Sequence, residues 1–242
     1  IKEAGNLKGD TPKMGYVGAF TYAEVVSGYT SFYLGAKSVC PDVTMDVTFT
    51  GSWYDETKEK EGAQALIAGG CKLISQHADS MGAPTACESA GVPDVSYNGS
   101  TISACPNTFI VSSRINWAPY YRYVMDCIKD QKAIDADWTG TIDTDSVVLT
   151  EVNENVAAEG TQEKIDEIKK GLLDGSIKVF DTKTFTVDGK EVESYMADVD
   201  TDPEYAGDTE VISDGAFLES VYRSAPYFDL QIDGIKLLDT AF

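Results

Sequence analysis

The chain has 242 residues, 43% apolar and 24% charged, and its 40 Asp and Glu against 19 Lys and Arg leave a formal net charge of -21. That apolar fraction supports one large domain or two ordinary lobes and excludes a disordered chain. A surface so acidic repels phosphate backbones and anionic lipid, which makes nucleic acid and bare membrane poor candidate partners, and no apolar run approaches the ~20 residues that span a bilayer. The chain opens at Ile1 rather than Met, with no basic-then-apolar leader, so a processed or truncated product is the expectation.

In chain order, residues 14–19 form a short apolar run that reads as a strand. Val25, Val26, Tyr29, Phe32, Tyr33 and Ala36 then recur at helical spacing. Pro41 breaks the chain, and Val43, Met45, Val47 and Phe49 alternate as a strand does. Asp55 is placed to cap a helix whose inward face is Ala63, Leu66 and Ile67 and which ends at Gly69-Gly70. Residues 73–76 predict a strand, 84–90 a helix, 92–97 and 109–112 two more strands. A helix carrying Trp117, Tyr121, Val124, Met125 and Ile128 follows. Strands alternating with helices of this length predict βαβ units around a parallel sheet, an α/β fold. Beyond Lys132 the rhythm changes. Residues 135–145 are polar, 147–149 are a strand candidate, and Ile165, Ile168, Leu172 and Leu173 mark an amphipathic helix. Residues 179–187 read as a strand that turns at Asp188-Gly189 into 191–195, and 198–207 as an acidic loop.

The sequence holds no GxSxG elbow, no P-loop and no GxGxxG, which removes the usual support for hydrolase, nucleotidase and dinucleotide readings. Cys40, Cys71, Cys87, Cys105 and Cys127 show no CxxC spacing and the chain has one His, so the cysteines read as small buried hydrophobes rather than zinc ligands. Asp198, Asp200 and Asp202 resemble the start of a calcium loop, but Pro203 stands where that loop needs Gly and Thr209 where it needs Glu. No metal or cofactor is expected.

The unusual residues fall where open α/β sheets bind ligands, at the carboxyl ends of the strands. Phe20 follows the first strand, Trp53 the second, His77 and Asp79 the third, Asn98 the fourth, and Arg114 and Trp117 the fifth. Rings that stack on the faces of a flat ligand, with polar groups around its rim, suit a small polar aromatic molecule. The bland alternative makes Trp53 a lid on the core, Asp79 a helix cap and His77 a structural histidine.

The segments KMGYVGAF, GAKSVCPDV, TGSWYDETKEKEGAQALIAGG, LISQHADS and INWAPYYRYV resemble the basic membrane lipoprotein (PnrA-like) family, substrate-binding proteins of ABC importers whose characterised members include purine nucleoside receptors. KIDEIKKGLLDGSIKVF extends the resemblance more weakly. It implies a periplasmic-binding-protein fold of type I with two lobes. In that scheme residues 1–13 are a remnant of an incomplete first lobe, 14–113 the second lobe, and 114–242 the hinge crossing and segments completing both. It also implies an extracytoplasmic location, a lipid anchor on an upstream Cys, a membrane permease as partner, and binding without catalysis. Trp53 then falls where the family usually has a stacking Phe, Asp79 where many members have Gly, Asn98 in place of an Asp and Arg114 in place of a Lys. The HADS and NWAPYY forms are similar to a subgroup that binds free purine base, so adenine is the favoured ligand. The alternatives are a sugar or other small polar solute, a nucleoside hydrolase pairing His77 with Asp79 as acid and base, and a sensor, for which no helix-turn-helix or basic face is visible.

Overall fold

The computed structural model describes residues 12–200 and 202–239. Residues 1–11, most of the segment read as a remnant of the first lobe, lie outside these, as does Thr201 of the acidic loop. The elements in chain order are β1 (Lys13–Gly18), α1 (Ala23–Val39), β2 (Thr44–Phe49), α2 (Glu56–Ala68), β3 (Ile74–Gln76), α3 (Gly82–Ala90), β4 (Asp94–Tyr97), β5 (Phe109–Ile115), α4 (Ala118–Lys129), β6 (Val147–Leu149) and α5 (Thr161–Asp174). Five short strands follow: β7 (Met196–Ala197), β8 (Thr209–Glu210), β9 (Ile212–Ser213), β10 (Ala216–Phe217) and β11 (Ile235–Leu237). The strand and helix alternation expected through the first half is therefore present, and the fold is α/β.

Seven strands form one sheet in the order β11-β2-β1-β3-β4-β5-β6. Its pairs are parallel except that β6 runs antiparallel to β5. Because successive side chains of a strand face opposite sides, β1 feeds two cores. Met14 and Tyr16 face α1 and the C-terminal segments, where they meet Tyr29, Met45 and Phe228. Val17 faces α2 and α3, where it meets Leu66, Ile74, Ala83 and Ala86. Both faces of the sheet are covered, as parallel sheets require.

Local chemistry sets the ends of the helices. Asp55 accepts the Lys58 backbone N–H at 3.0 Å as the expected cap of α2, while the buried Glu59 carboxylate takes the Asp55 N–H at 3.0 Å. The other side of Glu59 accepts the Ser80 N–H at 3.1 Å, which fastens the β3–α3 loop to α2. Gly82 lets the start of α3 lie directly on α2, since a Cβ there would sit 2.3 Å from the Glu56 carbonyl oxygen. Cys71, Cys87, Cys105 and Cys127 are buried and Cys40 partly so; all five are free thiols.

The expected hairpin after Val179 is a correction. Its turn is real: Asp188 (φ 51°) and Gly189 (φ 74°) are both left-handed, as a two-residue hairpin turn demands. Strands do not flank it, and only an isolated Val187–Lys190 bridge closes it. The cause is Phe180 and Phe185, which are both buried against Phe228. Five residues apart on a strand they would face opposite sides, so the backbone curls, with the Thr184 N–H on the Asp181 carbonyl at 2.9 Å. From there the chain returns to the sheet, where β11 pairs with β2 and the Asp239 carboxylate accepts Thr48 Oγ1 at 2.6 Å and the Phe49 N–H at 3.1 Å.

Candidate functional site

Backbone ties past the strand ends bring the first three loops together. The Gly51 N–H donates to the Ala19 carbonyl at 2.8 Å, His77 to Val17 at 2.9 Å and Asp79 to Trp53 at 2.9 Å. These bonds align the loops after β1, β2 and β3, and their side chains make a continuous wall of rings. Phe20 meets Trp53 edge-on at 5.1 Å between centroids, Trp53 lies 6.0 Å from His77, and His77 lies 4.5 Å from Tyr97. Tyr22, at the N-cap of α1, stacks on Phe20 at 5.0 Å with planes 16° apart. Trp53 is 37% exposed, too open for a lid on the core. Asp79 is exposed and does not cap α3, whose N-cap is Met81.

Of the seven expected site residues, the wall unites Phe20, Trp53 and His77, with Asp79 at its margin. Asn98 is exposed in the left-handed region (φ 62°) and its N–H bonds the Ser113 carbonyl at 2.8 Å, beside Arg114. Arg114 is not past a strand end but within β5, because β6 pairs with residues 113–115 and prolongs the strand. Tyr97 pairs with Ser113, so alternation points the exposed Arg114 to the other face of the sheet from Tyr97. Trp117 stacks in a separate group with Tyr121 at 6.3 Å and touches Tyr120 at 6.4 Å. The sequence places Tyr97 at the end of the fourth strand, beside Asn98, but the expected site leaves it out and passes over Tyr22 and Glu24 altogether. The missed signal is that the first turn of the helix after a strand opens on the same edge as the strand's end.

His77 is 6% exposed, and neither ring nitrogen has a hydrogen-bond partner. Nδ1 faces α1 at Gly28, while Nε2 lies 3.9 Å from Glu24 Oε1. No hydrogen bond joins His77 to Asp79 among the described residues, so the acid and base pair weighed from sequence does not form. Burial pushes the His77 pKa down to about 4 and raises that of Asp79. Burial, and then the charges of Glu24 and Asp79, raise the pKa of the Tyr97 hydroxyl.

The His77 shift has a stability consequence. Between its ordinary ~6.5 and about 4 the unfolded chain binds a proton that the folded chain refuses. Stability therefore falls as pH drops through that window. The buried Asp94, raised by desolvation to about 7, acts with the opposite sign, since the folded state keeps a proton that the unfolded state releases. A His77→Phe variant retains Asp94 and so isolates the histidine. Relative to it, wild type should lose about 2–3 kcal/mol from pH 7 to pH 4, read by denaturant titration at each pH. A difference that does not change with pH would mean the imidazole is solvated.

Three kinds of comparison bear on this edge. Residues 5–181 match the family described as ABC transporter substrate-binding protein, PnrA-like. A purine-binding protein of Brucella abortus is 38% identical over 107 residues, 44% of this chain and 31% of that protein. A protein of Haloferax volcanii named as an ABC transporter glucose-binding protein is 28% identical over 190 residues, 78% of this chain and 48% of that protein. The chain thus spans about half or less of the length of these curated relatives. Among solved structures, an ABC transporter solute-binding protein of Conexibacter woesei superposes with a TM-score of 0.57 at 24% identity, covering 72% of this chain and 59% of that one. One from Aeropyrum pernix gives 0.55 at 17% identity, covering 74% and 60%. The fold is that of the periplasmic-binding-protein type.

Proposed function

This chain belongs to the PnrA-like family of ABC transporter substrate-binding proteins, and from that premise we propose that it holds a free purine base, adenine before others, at the carboxyl edge of its sheet. In this reading the protein works outside the cytoplasm, delivers its ligand to a membrane permease, makes and breaks no bond, and is anchored by lipid on a Cys upstream of this chain. The observation that carries the reading is the wall of Phe20, Trp53 and His77 with Asp79 tied to Trp53 through the backbone. A purine ring stacks on such a wall, and an ionised carboxylate only accepts hydrogen bonds, so it selects the exocyclic amine of adenine. Base is favoured over nucleoside because Asn98 replaces the acid with which the family's nucleoside binders hold the sugar, and Arg114, which stands in place of their amine, faces the other side of the sheet. The purine-binding relative supports the class of ligand. A sugar is the second reading, favoured by the relative named for glucose.

Calorimetric titration with adenine, hypoxanthine, adenosine and glucose tests the proposal. Hypoxanthine presents a carbonyl to Asp79. At this open position the mismatch costs about 1 kcal/mol, so adenine should bind roughly fivefold more tightly. Equal affinities would remove Asp79 from the rim. Tighter binding of adenosine would restore the nucleoside reading, and binding of glucose alone would replace the purine reading with the sugar one.

A further inference from the structure

We infer that Asn98 is a site of spontaneous covalent modification, at which the Gly99 backbone nitrogen displaces the side-chain amide as ammonia and a carboxylate appears at the turn after β4. Asparagine is a thermolabile side chain. The residue that follows it decides how readily the backbone nitrogen reaches Cγ, and glycine, with no Cβ, hinders least. Of the six asparagines in the chain, Asn98 alone is followed by Gly.

The structure separates Asn98 from the others. Asn107 donates its side-chain amide to Glu88, Asn116 to the Asp145 carbonyl, and Asn153 to the Pro106 and Phe109 carbonyls. Those amides are held. Asn98 is exposed in the left-handed region (φ 62°), and its side-chain amide makes no hydrogen bond among the described residues. A Cβ on Gly99 would meet nothing within 4 Å, so a ring has room to close there. Asn155 is exposed as well, but the β-branched Val156 follows it and crowds the attack. One bond restrains the reaction. The Gly99 N–H donates to Ser112 Oγ at 3.2 Å, which holds the proton that the nitrogen must give up.

The step needs no partner but water. Solvent hydroxide takes the Gly99 amide proton, and the nitrogen attacks Asn98 Cγ. A bond from that nitrogen to Cγ forms, the bond from Cγ to Nδ2 breaks, and ammonia leaves with a proton from water. Water then opens the resulting succinimide at either carbonyl, which gives aspartate or isoaspartate at position 98. Either product adds a negative charge to the carboxyl edge beside Tyr97. Isoaspartate also lengthens the backbone where the Asn98 N–H meets the Ser113 carbonyl at 2.8 Å.

The test incubates this chain in mildly alkaline buffer and follows each asparagine separately over time, by digestion and mass spectrometry with fragmentation. Asn98 should convert about tenfold faster than Asn155, a barrier lower by about 1.4 kcal/mol. Gly99→Ala, whose Cβ enters open space, should remove most of that excess. Ser112→Ala should speed Asn98, and no other asparagine, about fivefold, the worth of one hydrogen bond. Ser112 is buried, so wild type in denaturant is the second measurement, and Asn98 should convert severalfold faster there than in the folded chain. Conversion at Asn98 no faster than at Asn155 would overturn the inference, as would a rate that Gly99→Ala leaves unchanged. A rate that neither Ser112→Ala nor denaturant raises would overturn the restraint assigned to Ser112.

Discussion

Trp53→Ala should weaken adenine binding roughly ten- to hundredfold, the 1–3 kcal/mol of one base–aromatic stack. Stability should hardly change. Trp53 is 37% exposed and takes no part in the clusters of buried side chains, so its removal leaves no cavity of the kind that makes core truncations costly. Its ring instead bridges Phe20 at 5.1 Å and His77 at 6.0 Å, so the substitution opens the middle of the wall. The loop itself should stay in place, because the Trp53 carbonyl that receives the Asp79 N–H belongs to the backbone. Calorimetry and thermal unfolding on the same sample separate the two effects. Unchanged affinity with a lowered midpoint would return Trp53 to the role of core lid.

Phe228→Ala should cost about 3–5 kcal/mol, the usual range for a fully buried Phe. For a chain of this length that lowers the melting temperature by roughly 6–20 °C. Phe228 is 0% exposed and stacks on Phe180 at 4.4 Å, with Phe217 at 4.7 Å and Phe185 at 5.9 Å edge-on. Three stretches of chain meet at this ring, the one carrying Phe180 and Phe185, strand β10 with Phe217, and the one carrying Phe228 itself, and their shared core continues through Tyr29 and Met45 to the sheet. Removing it should therefore loosen the cover over α1 and β2 rather than one loop. A loss under about 1 kcal/mol, the level of an ordinary surface change, would mean that the C-terminal segments pack independently of the sheet.

The alternating half of the chain could be read from sequence because its residues obey local periods. Val25, Tyr29 and Tyr33 repeat every four on α1 and all are buried, while β1 runs apolar because both of its faces are covered. After Val179 no period survives. Phe180 and Phe185, Phe217 of β10, and Phe228 converge from three stretches far apart in the chain, and contacts so far apart leave no spacing to detect. The same contrast divides the site. Phe20, Trp53 and His77 converge because each follows a strand of one parallel sheet. Arg114 stays within β5 because β6, more than thirty residues later, pairs with it, and no local signal announces that partner. Tyr22 and Glu24 look like a helix start and a solvated first-turn acid, and only the turn of α1 toward the edge makes them part of the wall.

A crystal structure of this chain grown with adenine tests the central claim most directly. The account predicts the purine ring in stacking contact with Trp53, its exocyclic amine within hydrogen-bond distance of the Asp79 carboxylate, and His77 or Glu24 facing its rim. Adenine lodged instead against Trp117 and Tyr121, or a carboxyl edge that stays empty at saturating adenine, would contradict it.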